Sequence, residues 1–324
     1  MKTLVLHGRE ALGPPADPVL EDVAGALREA GHAVELLAIG TSIEPAMAAL
    51  REAAPDLVFN LTESFGGKSA LEASLAAMLN LMGLRYTGSS PAGLVLAGDK
   101  ILSKKLLGFH GIHTPEFATL YRGQLDHADD LSFPVIVKPP QEDGSLGISE
   151  MSVVRDLREL LERMNELQSI YQQPVLIERF IPGREFYVGV LGNAHAEALP
   201  VVELRFPADP SNPQRIASFD VKWTDPPAGG DPVAESVVAA DLPTELADRM
   251  QRIAAEAFQA LRLRDYGRID FRVTDAGDLY VIDVNPNCYL ERRSEFAMAA
   301  GAAGMSYEEL IGRIVELATA RYAR

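Results

Sequence analysis

The chain has 324 residues, a formal net charge of −16 at pH 7, 47% hydrophobic residues and 23% charged ones. This length calls for two or three domains. The acidic balance excludes a nucleic acid or an anionic membrane gripped by bulk charge, though a few local Lys and Arg can still hold a small anion. The single cysteine, Cys288, excludes an intrachain disulfide. No apolar run is long enough to span a membrane, and MKTLVLHG is too short for a signal-peptide core. A cytoplasmic protein is the expectation.

The first third alternates strand and helix. TLVLHG is an apolar strand. Residues Pro18 to Ala30 have helical apolar spacing, with Gly31 placed to cap the end. HAVELLAI is a second strand, followed by a helix ending near Ala54. DLVFNLTE is a third strand, and residues 69–82 form another helix before GLRYTGS. This βαβαβ order predicts a doubly wound parallel sheet, whose ligands sit beyond the strand C-terminal ends. Asn60, Thr62 and Glu63 lie at one such end. From Asp99 a helix carrying Lys100, Lys104 and Lys105 leads to the strand FPVIVKPP and the glycine-containing loop QEDGSLGIS. A charged helix over about 154–168 follows. VLIERFIPGREFYVGVLG then reads as two strands around a Pro-Gly turn. Residues 205–235 show little periodicity, and a loop that long points to a functional cover. Trp223, the only tryptophan, lies in it. Helix 243–261, the hairpin GRIDFRVTDAGDLYVIDVNPN and helix 306–321 close the chain.

The hairpin carries the strongest chemistry. Asp283 and Asn285 share a strand face by period two, and Asp270 on the partner strand can join them. Two carboxylates and an amide carbonyl are hard oxygen donors, a set that suits Mg²⁺ with phosphate oxygens and water completing the shell. The alternative, a solvent-facing polar stripe, is opposed by Ile269, Phe271, Val281, Ile282 and Val284, which imply a buried hairpin. Lys138 at a strand end precedes Gly144, Ser145 and Gly147. Glycines let backbone N–H groups approach a phosphate, and lysine adds a point charge. The Walker pattern is absent, and an ordinary turn is the plain alternative. The stretch from Glu178 through Ile181 to Glu185 offers backbone to an adenine edge and a carboxylate to a ribose, unless it is a simple hairpin turn. Arg268 is placed to stabilise an oxyanion or a transferring phosphoryl group, or else to pair with Asp270 or Asp283.

These motifs, in this order, resemble the ATP-grasp superfamily and most closely the D-alanine–D-alanine ligases. The resemblance rests on GLRYTGSS, AGDKILSKKLL, FPVIVKPP, GSLGIS, VLIERFIPGREFYVGVLG, YGRIDFRV, VIDVNPN and the tail AAGMSYEELIGRIVELA. It implies an ATP-grasp fold of mixed α/β and α+β class. The parts are an N-terminal doubly wound domain over 1–95, a central subdomain over 96–180 and a C-terminal subdomain with the metal site over 181–324. It also implies carboxylate–amine ligation through an acylphosphate. Lys100 and Lys138 are then expected on the ATP phosphates, with Gly144, Ser145 and Gly147 in the phosphate-covering loop. Glu178 and Ile181 face adenine, Glu185 the ribose, and Lys222 the γ-phosphate. Asp270, Asp283 and Asn285 hold two Mg²⁺ ions, with Mn²⁺ as a substitute, and Arg268 sits at the oxyanion. Arg268, Lys222 and Ser145 are thus the catalytic candidates. The family also forms homodimers through its N-terminal region.

The departures fall on the substrates. Glu10 is out of register with the glutamate that meets the first substrate's ammonium. The stretch from Asn60 through Glu63 to Gly67 replaces a conserved family stretch, so Glu63 becomes a substrate candidate. Tyr289 stands where the family has the glycine that lends an N–H to the oxyanion. Ser294 keeps the position that meets the second substrate's carboxylate. Arg292 and Arg293 are extra cations, either exposed helix-start charges or readers of a carboxylate-bearing acceptor. Cys288 reads as a packing residue, and His7, at a strand end, is the one histidine near the expected cleft. The reading is a ligase for an amino acid or small peptide other than two D-alanines. The rivals are a true D-alanine–D-alanine ligase, an ATP-binding protein that no longer ligates and a phosphotransferase.

Overall fold

The structure is a computed structural model that describes residues 1–8, 17–121, 124–142, 144–171, 174–206, 216–218, 221 and 233–323. The strands are β1 Lys2–Gly8, β2 Ala33–Ile39, β3 Leu57–Leu61, β4 Phe117–Tyr121, β5 Gln124–Ala128, β6 Val135–Lys138 and β7 Val153–Val154. They continue as β8 Val175–Arg179, β9 Arg184–Gly192, β10 Ala196–Ala198, β11 Val202–Arg205, β12 Glu235–Val238, β13 Asp265–Val273 and β14 Leu279–Asn285. The helices are α1 Val19–Glu29, α2 Ile43–Ala53, α3 Glu72–Leu81, α4 Pro91–Gly98, α5 Lys100–Phe109, α6 Leu157–Tyr171, α7 Thr244–Ala260, α8 Glu295–Ala302 and α9 Tyr307–Tyr322.

The N-terminal sheet is parallel with order β2-β1-β3. Its central strand is apolar on both faces, as a covered parallel strand must be. Leu4 and Leu6 pack with Leu50, Leu75 and Tyr86 on one side. Val5 packs with Val23, Leu27, Phe59 and Leu310 on the other. Helices therefore cover both faces, as the βαβαβ reading requires.

Two antiparallel sheets follow, ordered β5-β4-β8-β6-β7 and β12-β11-β9-β13-β14, with β10 on β9. The sequence VLIERFIPGREFYVGVLG does form two strands around a turn, but the two strands do not pair. β8 belongs to the first sheet and β9 to the second, so residues 180–183 cross between them. Gly183 makes the crossing possible: its φ is +133°, and a Cβ there would lie 2.0 Å from the Val273 carbonyl oxygen. The charged helix begins three residues later than its composition predicts.

β13 divides its side chains by period two. Ile269, Phe271 and Val273 pack beneath α7, so Arg268, Asp270 and Arg272 project from the opposite face. In β14 the alternation is interrupted. Leu279, Val281 and Val284 all join the core under α7, and the pairing register shifts between Asp270↔Asp283 and Phe271↔Val281. An unbroken alternation would turn Asp283 and Asn285 to the same face as Leu279 and Val281. The bulge re-phases the strand and aims them at the face of Asp270.

The N-terminal sheet is docked on this second sheet by a buried ion pair. Asp265 is fully buried and accepts from Arg321 at 2.9 and 2.7 Å, and from the Gly88 amide at 2.8 Å. Arg321 also donates to the Tyr86 carbonyl at 2.9 Å. Removing one partner of such a pair strands the other charge. Arg321→Ala is expected to cost about 3–5 kcal/mol, read as a lower denaturant midpoint in urea unfolding, whereas Arg313→Ala on an exposed face of the same helix changes it little.

Candidate active site

Two adjoining cavities lie between the antiparallel sheets and the N-terminal sheet. The smaller, about 80 Å³, has Lys138, Glu178, Ile181 and Glu185 in its wall, with apolar lining from Ile136, Ile148, Ile216 and Ile282. The larger, about 340 Å³, is lined by Lys100, Arg268, Asn285, Glu63, Tyr289 and Ser294 among others. Ser145, Asp270 and Asp283 border both. An apolar slot and a polar chamber thus meet at the two aspartates.

The aspartates are direct register partners on β13 and β14, and each is matched by a cation. Arg268 grips Asp270 with two hydrogen bonds of 2.7 and 3.0 Å and reaches Glu295 at 3.3 Å. Its guanidinium stacks on Tyr187, 4.7 Å from the ring centre. Lys100 lies 3.2 Å from Asp283 and donates to the Glu142 carbonyl at 2.9 Å. Burial would raise the pKa of Asp283, but Lys100 and Lys138 outweigh it and hold the carboxyl below its usual range. Among the described residues no three His, Cys, Asp or Glu side chains stand together as a metal cluster. The candidate donors are instead two carboxylates and the Asn285 amide. That amide's nitrogen is enclosed without a hydrogen-bond partner, so the protein does not itself engage it. All three border the larger cavity, and the donor set fits a hard divalent cation.

Glu178 is almost fully buried and takes two lysines, Lys104 at 2.5 Å and Lys138 at 2.6 Å. Its carboxylate is therefore engaged by cations. Glu178 and Ile181 both border the slot. Burial pulls Lys138 down to about 8 despite the nearby acids. Burial, and then the charge of Lys138, also pull Lys104 well below the usual lysine range. Glu185 is held by Arg272 at 2.9 Å and by the Tyr187 hydroxyl at 2.9 Å, which presents its carboxylate in a fixed direction.

The glycine loop is folded back on itself. Gly144, Ser145 and Gly147 have φ of +61°, +62° and +73°, a run that turns backbone N–H groups into one concavity. Ser145 donates to the Ala217 carbonyl at 2.8 Å. Arg163 from α6 holds the loop from behind through the Gly147 carbonyl and the Ser152 hydroxyl.

The substrate candidates divide. Glu63, Tyr289 and Ser294 border the chamber. The Tyr289 hydroxyl donates to Asp17 at 2.6 Å, and Ser294 caps α8, accepting from the Ala297 amide. Arg292 and Arg293 are not brought to the chamber. Arg292 lies with Asp22 and Glu308 and over the Tyr307 ring at 4.3 Å. Arg293 is 88% exposed and pairs with Glu291. Their charges are satisfied on the outer surface, which matches the helix-start alternative. Lys222, Trp223, Glu10 and most of 205–235 lie outside the described residues.

The sequence matches the family model described as D-ala D-ala ligase C-terminus over residues 106–316. The D-alanine–D-alanine ligase of Gluconobacter oxydans is 32% identical, with 99% of this chain and 100% of that protein covered. An uncharacterized protein of Sinorhizobium fredii is 34% identical, covering 95% of this chain and 89% of its own. The chain belongs to the D-alanine–D-alanine ligase family. Its fold is that of the D-alanine–D-alanine ligase of Bacillus anthracis, with a TM-score of 0.76, 23% identity and coverage of 98% and 97% of the two chains. The structure of that ligase complexed with ATP gives a TM-score of 0.74 at 22% identity. The ATP-grasp architecture is thus established across nearly the whole chain. No helix among the described residues is long and apolar enough to cross a membrane.

Sequence reasoning missed Arg272, Tyr187, Lys104 and Asn287. Arg272 was legible, since it continues the alternation Arg268, Asp270, Arg272. Lys104 follows Lys100 by one helical turn, a spacing that places both on one face. Asn287 left no signal. Its amide accepts from the Ser89 N–H at 3.0 Å and donates to Glu72 at 2.8 Å, contacts made across 198 and 215 residues of sequence. Cys288 is buried in the shared core, and burial pushes its thiol far up. At pH 8 the thiolate is scarce, so Ellman's reagent should leave the native protein unlabelled and titrate one thiol after unfolding.

Proposed function

We propose that the chain joins a carboxylate to an amine at the expense of ATP, forming an amide bond through an acylphosphate. It is an ATP-dependent ligase of the D-alanine–D-alanine ligase family. The observation that carries this reading is the junction of an apolar slot and a polar chamber at two register-paired aspartates. The slot takes the purine, with the chain at Ile181 along its edge and Glu185 toward the ribose. Lys100 and Lys138 meet the phosphates, and the loop 144–148 covers them. Asp270, Asp283 and Asn285 hold Mg²⁺, which when bound neutralises phosphate oxygens against these acids. The γ-phosphoryl group passes to the substrate carboxylate and ADP leaves. The amine then attacks the acyl carbon, a C–N bond forms and phosphate departs. Arg268 stands where negative charge develops on the carbonyl oxygen.

The substrates are an amino acid or small peptide pair other than two D-alanines. Two features support this. Tyr289 fills the position of the family's oxyanion glycine. Glu63, in a stretch unlike the family's, borders the chamber. Pocket polar groups of this kind decide which substrate is accepted.

The test is Mg·ATP-dependent ADP release over pairs of D- and L-amino acids, with products identified by mass. An amide product from a pair other than two D-alanines is the expected result. A D-alanyl-D-alanine product would overturn the substrate assignment and leave the ligase reading intact. ADP with a phosphorylated substrate and no amide, or ATP bound without turnover, would overturn ligation. With a productive pair in hand, Asp283→Asn is expected to lower kcat at least about a hundredfold.

A further inference from the structure

Lys104 is a buried cation for which the site as described has no use. Its side chain is 3% exposed, yet it borders neither cavity and cannot touch a nucleotide there. It lies one turn after Lys100 on α5, 5.6 Å from the Phe117 ring centre, with its ammonium on one oxygen of Glu178. The other oxygen of Glu178 takes Lys138. Three elements, α5, β8 and β6, thus contribute a buried lysine–glutamate–lysine row.

The charge count is the informative part. A buried pair of Lys138 and Glu178 would be balanced. Adding a second ammonium costs desolvation with no second carboxylate in direct contact to offset it. The surplus has a clear consequence. With one oxygen of Glu178 tied to Lys104, Lys138 is held by the other alone. Neither lysine has the carboxylate to itself, at the wall where Lys138 enters the slot. Without Lys104, the whole carboxylate is available to Lys138. Glu178 then draws Lys138 back and cancels its charge.

We propose that Lys104 is a positioning residue for nucleotide binding: it occupies Glu178 from behind so that Lys138 presents its charge to the ATP phosphates. This rests on the reading that Lys138 meets those phosphates. It predicts a selective defect, because the adenine slot is left untouched.

The experiment compares Lys104→Met, Lys138→Met and the double variant by calorimetric titration with Mg·ATP and with AMP, alongside thermal unfolding of each protein. Methionine keeps an unbranched side chain one atom shorter and removes the charge. Lys104→Met is expected to weaken ATP binding by about tenfold or more, leave AMP affinity within about twofold, and have no further effect in the Lys138→Met background. Unchanged ATP affinity in Lys104→Met, an equal loss for ATP and AMP, or an additive loss in the double variant would overturn the inference, since each describes a lysine that serves only the fold. If Lys138→Met itself binds ATP normally, the assignment of Lys138 to the phosphates fails and the inference with it. A loss in Lys138→Met without one in Lys104→Met sinks the inference alone.

Discussion

Two carboxylates facing each other across a largely buried hairpin repel, and each loses much of its hydration. Such an arrangement persists only if positive charge is delivered to both. Much of the C-terminal half is organised around that requirement. The bulge in β14 turns Asp283 onto the face of Asp270. Arg268, two residues before Asp270 on the same face, closes on it from β13. Lys100 arrives from the first residue of α5 to meet Asp283. The cations that make the acidic hairpin tolerable, Lys100 and Arg268, border the same polar chamber as the aspartates they neutralise.

The cleft has two halves with different obligations. Around the apolar slot nearly every polar group is fixed by another. Glu185 is clamped by Arg272 and Tyr187, Glu178 by two lysines, and the glycine loop by Arg163 from behind. Such second contacts keep the first ones in place at little entropic cost when ligand arrives. The polar chamber is assembled from distant segments instead. Asp17, Glu63, Glu72 and Tyr289 belong to the N-terminal region and to the chain after β14. This division lets one fold keep its ATP chemistry while its specificity drifts, since function resides in the residues placed on a fold rather than in the fold itself.

The N-terminal sheet is no loose appendage to this site. Asp265, Arg321 and the Gly88 amide lock it to the start of β13. Asn287 reaches across to Ser89 and Glu72 from just beyond Asn285. Gly88 lacks a side chain for a plain reason. Its φ is +90°, and a Cβ would sit 2.5 Å from the Asn287 side-chain oxygen. The end of the β13–β14 hairpin and the floor of the polar chamber are therefore one mechanical unit.

The sequence by itself determined what depends on local order. Apolar alternation and helical spacing specified the parallel N-terminal sheet, the closing hairpin and the terminal helix, because period two and period 3.6 are properties of neighbouring residues. The succession from Asp99 to Asn285 also singled out Lys100, Lys138, Glu185, Arg268, Asp270, Asp283 and Asn285, all of which border the two adjoining cavities, since those side chains are set by the strands and helix that bear them. Tertiary structure decided the rest. Period two placed Asp283 and Asn285 on one face, but only the bulge chose the cleft over the core. β8 and β9 are adjacent in sequence, yet they part into different sheets because pairing partners lie elsewhere in the chain. Arg292 and Arg293 follow the metal strand closely, and yet Asp22, Glu308 and Glu291 draw them outward. Lys104 and Asn287 owe their partners to segments brought together only by packing. A charge settles where the folded chain supplies its counterpart, and that geometry is not written in any short stretch of residues.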